Sequence, residues 1–249
     1  MQPSKGFTLI EMIMALVILA FISLGIGAYL QLGARGYSDT IDRERLQSEA
    51  RFVIERMTRE IRHAAPNSVS FSNGCLSFYP VVLTGAYLNE PDPIDPVLEV
   101  LVSPDSQQMN LWNSGVNGNH AAVGFVSVSD YQADAGESMM VEALTKAPTA
   151  ADPTATLQLS QWLGDRSPGQ RLYLFSDRVA FCQDGNTLVR RVNNGAAYAL
   201  TDTLSRFNVA VSGAGLNSNG LIHLELSFRD PVSQESSDYS QSMQVINVL

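Results

Sequence analysis

A carboxylate at position 11 lies inside the most apolar part of the sequence. Apolar residues precede Glu11, and residues 12–30 after it contain no charged side chain. An ionised group within a membrane span costs about 2.5–3.5 kcal/mol on insertion scales, and less near an end of the span. Such an acid needs a cation, and the nearby candidates are Lys5 and whichever amine begins the chain. Glu11 is therefore a candidate functional residue.

The apolar run that contains Glu11 is long enough to cross a bilayer. As a helix, residues 7–30 would extend about 36 Å, against a hydrocarbon core about 30 Å thick. The alternative is a secretory signal peptide, since Lys5 gives a basic start and residues 25–28 loosely resemble a cleavage site. The run is longer than a usual signal-peptide core, and a signal peptide has no use for Glu11. We therefore predict a transmembrane helix over 7–30.

Residues 4–11, Ser-Lys-Gly-Phe-Thr-Leu-Ile-Glu, resemble the prepilin signal of type IV pilins and type II secretion pseudopilins. The motif is short but specific, because Gly6, Phe7 and Glu11 stand at the required spacing before a membrane-length apolar run. The resemblance implies that residues 1–6 are a leader, that a prepilin peptidase cleaves between Gly6 and Phe7, and that the amine of Phe7 becomes methylated. It also implies that Glu11 orders subunits as they dock with other pilins.

Cleavage after Gly6 would supply the missing cation for Glu11. The new amine of Phe7 would lie one helical turn from Glu11 in the same chain, or would meet Glu11 of a neighbouring subunit in a bundle. The second arrangement would neutralise the acid only on assembly.

Residues 31–65 are predicted to continue the helix as an amphipathic spine. The apolar side chains recur at steps of three and four residues, at Leu46, Ala50, Val53, Ile54, Met57, Ile61 and Ala64. Acids nearly balance the arginines, which favours a solvated outer face over a lipid-binding one. Pro66 is expected to end the helix.

Four glycines, Gly25, Gly27, Gly33 and Gly36, weaken the middle of this long helix by about 1 kcal/mol each relative to alanine. One hypothesis is that this stretch bends or melts when the subunit leaves lipid for a filament. The alternative is close packing of neighbouring helices through small residues.

Residues 66–249 are predicted to form a mostly antiparallel β-sheet head, which makes the fold class α+β. Extended runs rich in β-branched and aromatic residues occur at 69–71, 75–83, 97–102, 124–128, 172–175, 179–182, 187–192, 207–211, 221–228 and 243–248. Asp184-Gly185-Asn186 predicts a hairpin. Loops are predicted at 89–96, 113–120 and 146–153, and no linker is long enough to require a second domain.

Composition limits what the head can do. The 249 residues are 45% hydrophobic and 16% charged, with 18 Gly and 2 Cys, which excludes a disordered chain, a collagen and a disulfide-dense miniprotein. Residues 66–249 carry eight basic and eighteen acidic side chains, and such an acidic body repels nucleic acid. GxSxG, HExxH, P-loop and GxGxxG motifs are absent from the sequence, so we predict no enzyme.

Cys75 and Cys182 both fall in predicted strands. If the N-terminal helix anchors the head in an oxidising periplasm, the two cysteines are expected to form a disulfide. Two buried free thiols are the alternative, because sequence alone does not bring the two Cα atoms together.

Two groups of residues have side chains that could bind a ligand. Glu90, Asp92 and Asp95 cluster in a proline-rich loop and offer oxygens to Ca²⁺. Their spacing is not that of an EF-hand, so no cofactor or metal is predicted, and calcium at these acids is the alternative. The aromatic residues Trp112, Trp162, Tyr131 and Tyr173 could line a ligand-binding surface, although packing within a sheet core is the commoner fate.

A second resemblance covers residues 50–62, the predicted strand with Cys75 and the hairpin at 179–191. These segments are similar to the large minor pilins and J-type pseudopilins, and most to those of mannose-sensitive haemagglutinin (MSHA) pilus biogenesis. The resemblance implies a low-abundance inner-membrane subunit with a periplasmic head, which helps other pilins to initiate or cap a filament. A type II secretion pseudopilin and a tip adhesin that binds a surface ligand are the alternatives.

Overall fold

The computed structural model describes residues 6–89, 94–131, 139–161, 166–193, 195–212 and 220–245. One helix, α1, spans Leu9–Arg62 and is 54 residues long, or about 80 Å. Its first half is exposed to solvent: Phe21 and Leu24 are each 72% exposed. Among the described residues, α1 is the one helix long and apolar enough to cross a membrane.

The second half of α1 buries one face against the head. Leu46, Ala50, Val53, Met57 and Ile61 form the buried stripe that the helical period predicts. The helix ends at Arg62, four residues before Pro66. The prediction that the helix continues to residue 65 and is ended by Pro66 was therefore wrong by three residues. The helix ends there because the backbone turns into strand-like pairing: the carbonyl of His63 accepts from Val81 N–H at 2.8 Å, and Ala64 bridges Pro80.

Five short strands form the first sheet, in the order β1-β2-β9-β10-β11. They span Ser70–Ser72 (β1), Cys75–Phe78 (β2), Val179–Asp184 (β9), Thr187–Val192 (β10) and Tyr198–Thr201 (β11). Asn73 and Gly74 both have positive φ, as the tight turn between β1 and β2 requires. The hairpin predicted around Gly185 joins β9 and β10.

Cys75 and Cys182 are direct cross-strand partners in this sheet. Their Cα atoms are 4.0 Å apart, and a disulfide joins them. The bond closes a loop with a sequence separation of 107 residues. In the chain-entropy model a loop of this length stabilises the fold by up to about 4.7 kcal/mol.

Three longer strands form the second sheet, in the order β12-β13-β14. They span Leu204–Ser212 (β12), Gly220–Arg229 (β13) and Ser236–Val245 (β14). Their inner faces and the first sheet pack on the buried stripe of α1 in one core, which includes Phe78, Phe181, Leu226 and Phe228. The amphipathic half of α1 is therefore an integral part of the head.

Six further strands close into a barrel in the order β3-β4-β7-β6-β5-β8. They span Val81–Tyr87 (β3), Val97–Leu101 (β4), His120–Ala122 (β5), Met139–Lys146 (β6), Thr154–Leu159 (β7) and Arg171–Phe175 (β8). The barrel has its own core, and the short helix α2, Ser106–Gly115, contributes the fully buried Trp112 to it. Asp105 caps α2 by accepting from the N–H groups of Gln107 and Gln108.

The predicted class, a long N-terminal helix followed by antiparallel sheet in an α+β, pilin-like architecture, is confirmed. Several predicted elements were wrong. The run at 75–83 is two strands, because Pro80 has no N–H to continue the ladder. The run at 124–128 is no strand: Gly124 has φ +69°, and the Asp130 carboxylate turns the chain by accepting from the N–H groups of Val126 and Ser127.

Some elements had no counterpart in the sequence analysis. They are the helix α2, which covers part of a predicted loop, the short 3-10 helix Val128–Tyr131, and the strands β5, β6, β7 and β11. Each of the missed strands contains alanine, which is depleted in strands, and β5 and β11 are only three and four residues long, so their extended signal is weak.

Candidate assembly and anchoring site

Glu11 lies in the first turn of α1, where it forms a capping box with Thr8. Thr8 has extended backbone angles and is the N-cap of the helix. Its hydroxyl and its N–H each donate to Oε2 of Glu11 at 3.2 Å, while Glu11 N–H donates to the Thr8 hydroxyl at 3.4 Å. Each residue thus satisfies a backbone donor that the helix start leaves without a partner.

Thr8 was not among the candidate residues from the sequence. The signal that could have found it is the Thr-x-x-Glu spacing directly before an apolar helix, which is the usual pattern of a capping box. Among the described residues, Thr8 alone donates hydrogen bonds to the Glu11 carboxylate. No described cation lies beside this carboxylate. Lys5 lies outside the described residues.

Gly6 and Phe7 precede the helix and are exposed. Neither has helical structure, and Phe7 is 86% exposed. The segment from Gly6 to Thr8 is therefore a non-helical approach to α1, with the Glu11 carboxylate one turn beyond it. The Gly6–Phe7 peptide bond therefore lies in an exposed, non-helical segment.

Glu60 ties the helical spine to the first sheet. Its carboxylate accepts from Nε of Arg56 at 2.5 Å and from Nε of Arg190 in β10 at 2.9 Å. The side chains of Glu60 and Arg190 are 18% and 21% exposed. Partial burial strengthens such a pair relative to a solvent-exposed one. Arg56 stands four residues before Glu60, which is a local spacing, whereas Arg190 is 130 residues away in the sequence and left no local signal.

Three further residues of α1 make polar contacts that anchor the helix to the head. Glu49 Oε2 accepts from the hydroxyls of Thr201 and Thr203 at 3.4 and 3.1 Å. Nearer the exposed first half of α1, Arg45 pairs with the buried Asp230, and Arg43 pairs with Glu235 at 2.9 Å. The spine is thereby held at separate points along its length, in addition to its apolar stripe.

The Asp230 carboxylate is held by two backbone N–H groups as well as by Arg45. Its Oδ1 accepts from the N–H groups of Val232 and Ser233 at 2.8 and 2.9 Å. These backbone donors, with the nearby Arg45, hold the pKa of Asp230 below its ordinary value. The ionised carboxylate therefore organises the turn between β13 and β14.

Two of the three candidate calcium ligands, Glu90 and Asp92, lie outside the described residues. Asp95 is described, and its neighbourhood is organised by hydrogen bonding of Asn89, which donates to the Val97 carbonyl at 2.8 Å and accepts from Glu99 N–H at 2.7 Å. Within the described parts of the chain, three or more His, Cys, Asp or Glu residues are nowhere grouped as a metal site.

Two of the four aromatic candidates for a ligand surface, Trp112 and Tyr131, belong to cores. Trp112 is fully buried in the barrel, and Tyr131 is buried against Phe125 and Phe175. Burial raises the pKa of Tyr131 well above its ordinary value. Tyr173 is half-buried beside this cluster, and Trp162 lies outside the described residues. The core interpretation holds for Trp112 and Tyr131.

The comparisons with known proteins concern the N-terminal part of the chain. The family model described as the prokaryotic N-terminal methylation motif matches residues 1–27. No curated protein and no solved structure matches the chain. The match includes Gly6, Phe7, Thr8 and Glu11. This prepilin-type N-terminus supports a type IV pilin or pseudopilin-type subunit, and it implies processing by a prepilin peptidase and assembly with other pilins.

Proposed function

We propose that the chain is a minor pilin-like structural subunit that helps to initiate or cap a type IV pilus of the MSHA type, in the manner of MshO. The observation that carries the proposal is the Glu11 carboxylate, capped by Thr8 at the start of an exposed apolar helix and directly after the Gly6–Phe7 bond of the methylation motif. The proposal makes the protein a structural subunit and no enzyme.

The proposed processing and topology follow the same motif. Residues 1–6 are the leader, Gly6–Phe7 is the cleaved bond, and Phe7 receives the methyl group. Residues 7–30 cross the inner membrane once, 31–65 form the spine, and 66–249 form a periplasmic head. The disulfide between Cys75 and Cys182 is consistent with an oxidising compartment.

The proposed assembly step is electrostatic. In the free subunit the Glu11 carboxylate has hydrogen bonds from Thr8, and the described residues provide no cation beside it. The Phe7 amine of a processed neighbour would supply that charge when the two helices meet in an apolar bundle. An ion pair in such surroundings is stronger than in water, so it favours the docked state over the free subunit.

A minor role suits the shape of the head. The head combines a five-stranded sheet, a three-stranded sheet and a closed six-stranded barrel. Such a bulky head is hard to repeat along a slender fibre, whereas a single copy at a tip meets no such restriction.

The test combines a processing assay with a docking assay. The intact mass of protein from native membranes should correspond to a chain that begins at a methylated Phe7. Glu11→Ala should leave membrane insertion and the head disulfide unchanged while pilus number falls at least tenfold. Glu99→Ala, at an exposed acid of the head, is the control and should leave piliation normal. Recovery of the chain with residues 1–6 attached while pili form normally would contradict the proposal, as would normal piliation with Glu11→Ala.

The type II secretion alternative shares the motif and differs in phenotype. If the chain is a J-type pseudopilin, its deletion should block export of folded proteins and leave surface pili intact. A tip adhesin would instead keep normal pilus number on deletion of the gene and lose attachment.

A further inference from the structure

The edge strand β14 is unusual among the strand edges of this head. The barrel is closed, and the edges of the five-stranded sheet are β1 and β11, of three and four residues. β14 is ten residues long and pairs with β13 along its whole length, whereas its other edge has no partner strand among the described residues. The backbone groups on that edge make no ladder hydrogen bonds with a described strand, so the edge can accept another strand.

β14 also lacks the side chains that protect natural edges. Its sequence, Ser-Ser-Asp-Tyr-Ser-Gln-Ser-Met-Gln-Val, contains no proline, lysine or arginine, and a single charge. Soluble proteins commonly blunt long edges with those residues or with bulges. In contrast, β12 at the other side of the same sheet carries Arg206 and a register shift. A long, regular and unprotected edge is a template for strand addition.

A groove runs between this edge and the flank of α1. One cavity of about 480 Å³ is lined by Ile54, Glu55, Thr58, Arg59, Arg62, His63 and Gln241. A second cavity of about 510 Å³ shares Arg62 and is lined by Ser242, Met243 and Gln244 of β14, with Leu221 of β13. An added strand would thus have the β14 backbone on one side and the helix flank on the other.

The groove contains polar groups that lack partners. The Thr58 hydroxyl is buried and makes no hydrogen bond within the described part of the chain. Arg59 and Arg62 are exposed and form no ion pair with a described residue, while Glu55 is the one acid that lines the first cavity. The groove therefore has excess positive charge, in contrast to the acidic head around it.

We infer that β14 accepts an extended, acid-bearing strand from another pilin-like subunit. The backbone of that strand would extend the sheet, a small inward side chain would meet Ile54 and the Thr58 hydroxyl, and its acids would pair with Arg59 and Arg62. This inference rests on the proposed assembly function and adds the surface and the chemistry of one partner contact. It concerns the head, and is separate from the Glu11 contact in the membrane.

Photo-crosslinking in the native host tests the contact with the full chain. A benzophenone amino acid at Gln244 should give an adduct with a second protein that itself carries a processed prepilin N-terminus, mapped to an extended segment with an Asp or Glu. The same group at Asn208, an exposed position on β12, is the matched control and should give at least tenfold less adduct. An adduct with a second copy of this chain, or equal adducts at both positions, would overturn the inference.

Charge reversal tests the ligand chemistry. Arg59→Glu with Arg62→Glu should reduce the Gln244 adduct about tenfold, because like charges then oppose the incoming acids. Arg51→Glu, at an exposed arginine elsewhere on α1, should leave the adduct unchanged. An unchanged adduct in the double variant would refute the acidic-strand assignment. Loss of piliation in Glu11→Ala together with no Gln244 adduct in the wild type would refute this contact alone and leave the proposed function standing.

Discussion

At the scale of single residues, two side chains at the start of α1 hold each other in place. Thr8 and Glu11 exchange hydrogen bonds in both directions, so each is held in place by the other. The acid is therefore positioned before any partner arrives. In a membrane environment, the hydrogen bonds from Thr8 also lower the free-energy cost of placing a carboxylate at the start of an apolar span.

Thr8→Ala should loosen the first turn of α1. The substitution removes the acceptor of Glu11 N–H and a donor to its carboxylate, a loss of about 1 kcal/mol that corresponds to about a fivefold rise in local opening. Hydrogen exchange of the first-turn amides in bilayer nanodiscs measures this effect. Thr8→Ser keeps the hydroxyl and should behave like the wild type, and identical exchange in the alanine variant would show that the capping box contributes nothing.

Asp230 predicts a pH-dependent contribution to head stability. Because its folded pKa is lowered, its stabilising effect is present above its unfolded pKa of about 3.9 and is lost as the pH falls through the folded value. Asp230→Asn should therefore lower the urea midpoint at pH 7 and should match the wild type increasingly closely as the pH falls below about 3.9. Asp202→Asn, at an exposed acid, should shift neither curve. A midpoint difference that stays constant between neutral and acid pH would exclude this linkage.

At the scale of elements, α1 combines two helices of different character. The first half exposes its apolar side chains on all sides, and the second half buries one stripe and exposes the rest. The contacts through Glu49, Glu60 and Arg45 hold the second half on the head. The second half of α1 is therefore fixed to the head by polar contacts as well as by its buried stripe.

Met57→Ala should destabilise the head strongly. Met57 is fully buried between α1 and the sheets, and truncation of such a side chain costs about 2–5 kcal/mol. Phe52 is 52% exposed on the same helix, so Phe52→Ala should change the free energy of unfolding by less than about 0.5 kcal/mol. Urea unfolding of the full chain in detergent, followed by head tryptophan fluorescence, compares the two. Equal destabilisation would mean that the buried stripe does not carry the packing.

At the scale of the whole molecule, the glycines of α1 lie where the helix leaves the proposed bilayer. The helix is continuous through Gly25, Gly27, Gly33 and Gly36. A methyl group added at any of the four would meet no described atom within 4 Å. Close packing through these small residues would therefore require another subunit, whereas the melting hypothesis requires none.

Hydrogen exchange of free and assembled protein distinguishes these two roles. If the glycine stretch melts on assembly, amides between residues 25 and 36 should exchange faster in the filament than in the membrane. Gly25→Ala with Gly27→Ala should restore slow exchange, since each change favours helix by about 1 kcal/mol. Equal protection in both states would eliminate melting and leave helix packing as the explanation.

The elements whose signals lie within a few residues could be predicted from the sequence. The period of three and four residues identified the buried stripe of α1, and Gly185 in its turn identified the β9–β10 hairpin. The sequence did not predict that Arg190 pairs with Glu60 or that Asp230 pairs with Arg45. These contacts join residues 130 and 185 positions apart, so no local pattern indicates them. Thr8 was also missed, although the Thr-x-x-Glu spacing was present.

The sequence by itself determined the long helix, the acid near its start, the prepilin-type motif around that acid and the β-rich character of the head. Each depends on hydrophobicity, charge or residue type within a few positions. Only the tertiary structure decided that the strands divide into two sheets and a closed barrel, and that β14 is left as a long edge beside Arg59 and Arg62. Strand order and edges depend on pairing between distant segments, which local periodicity does not encode.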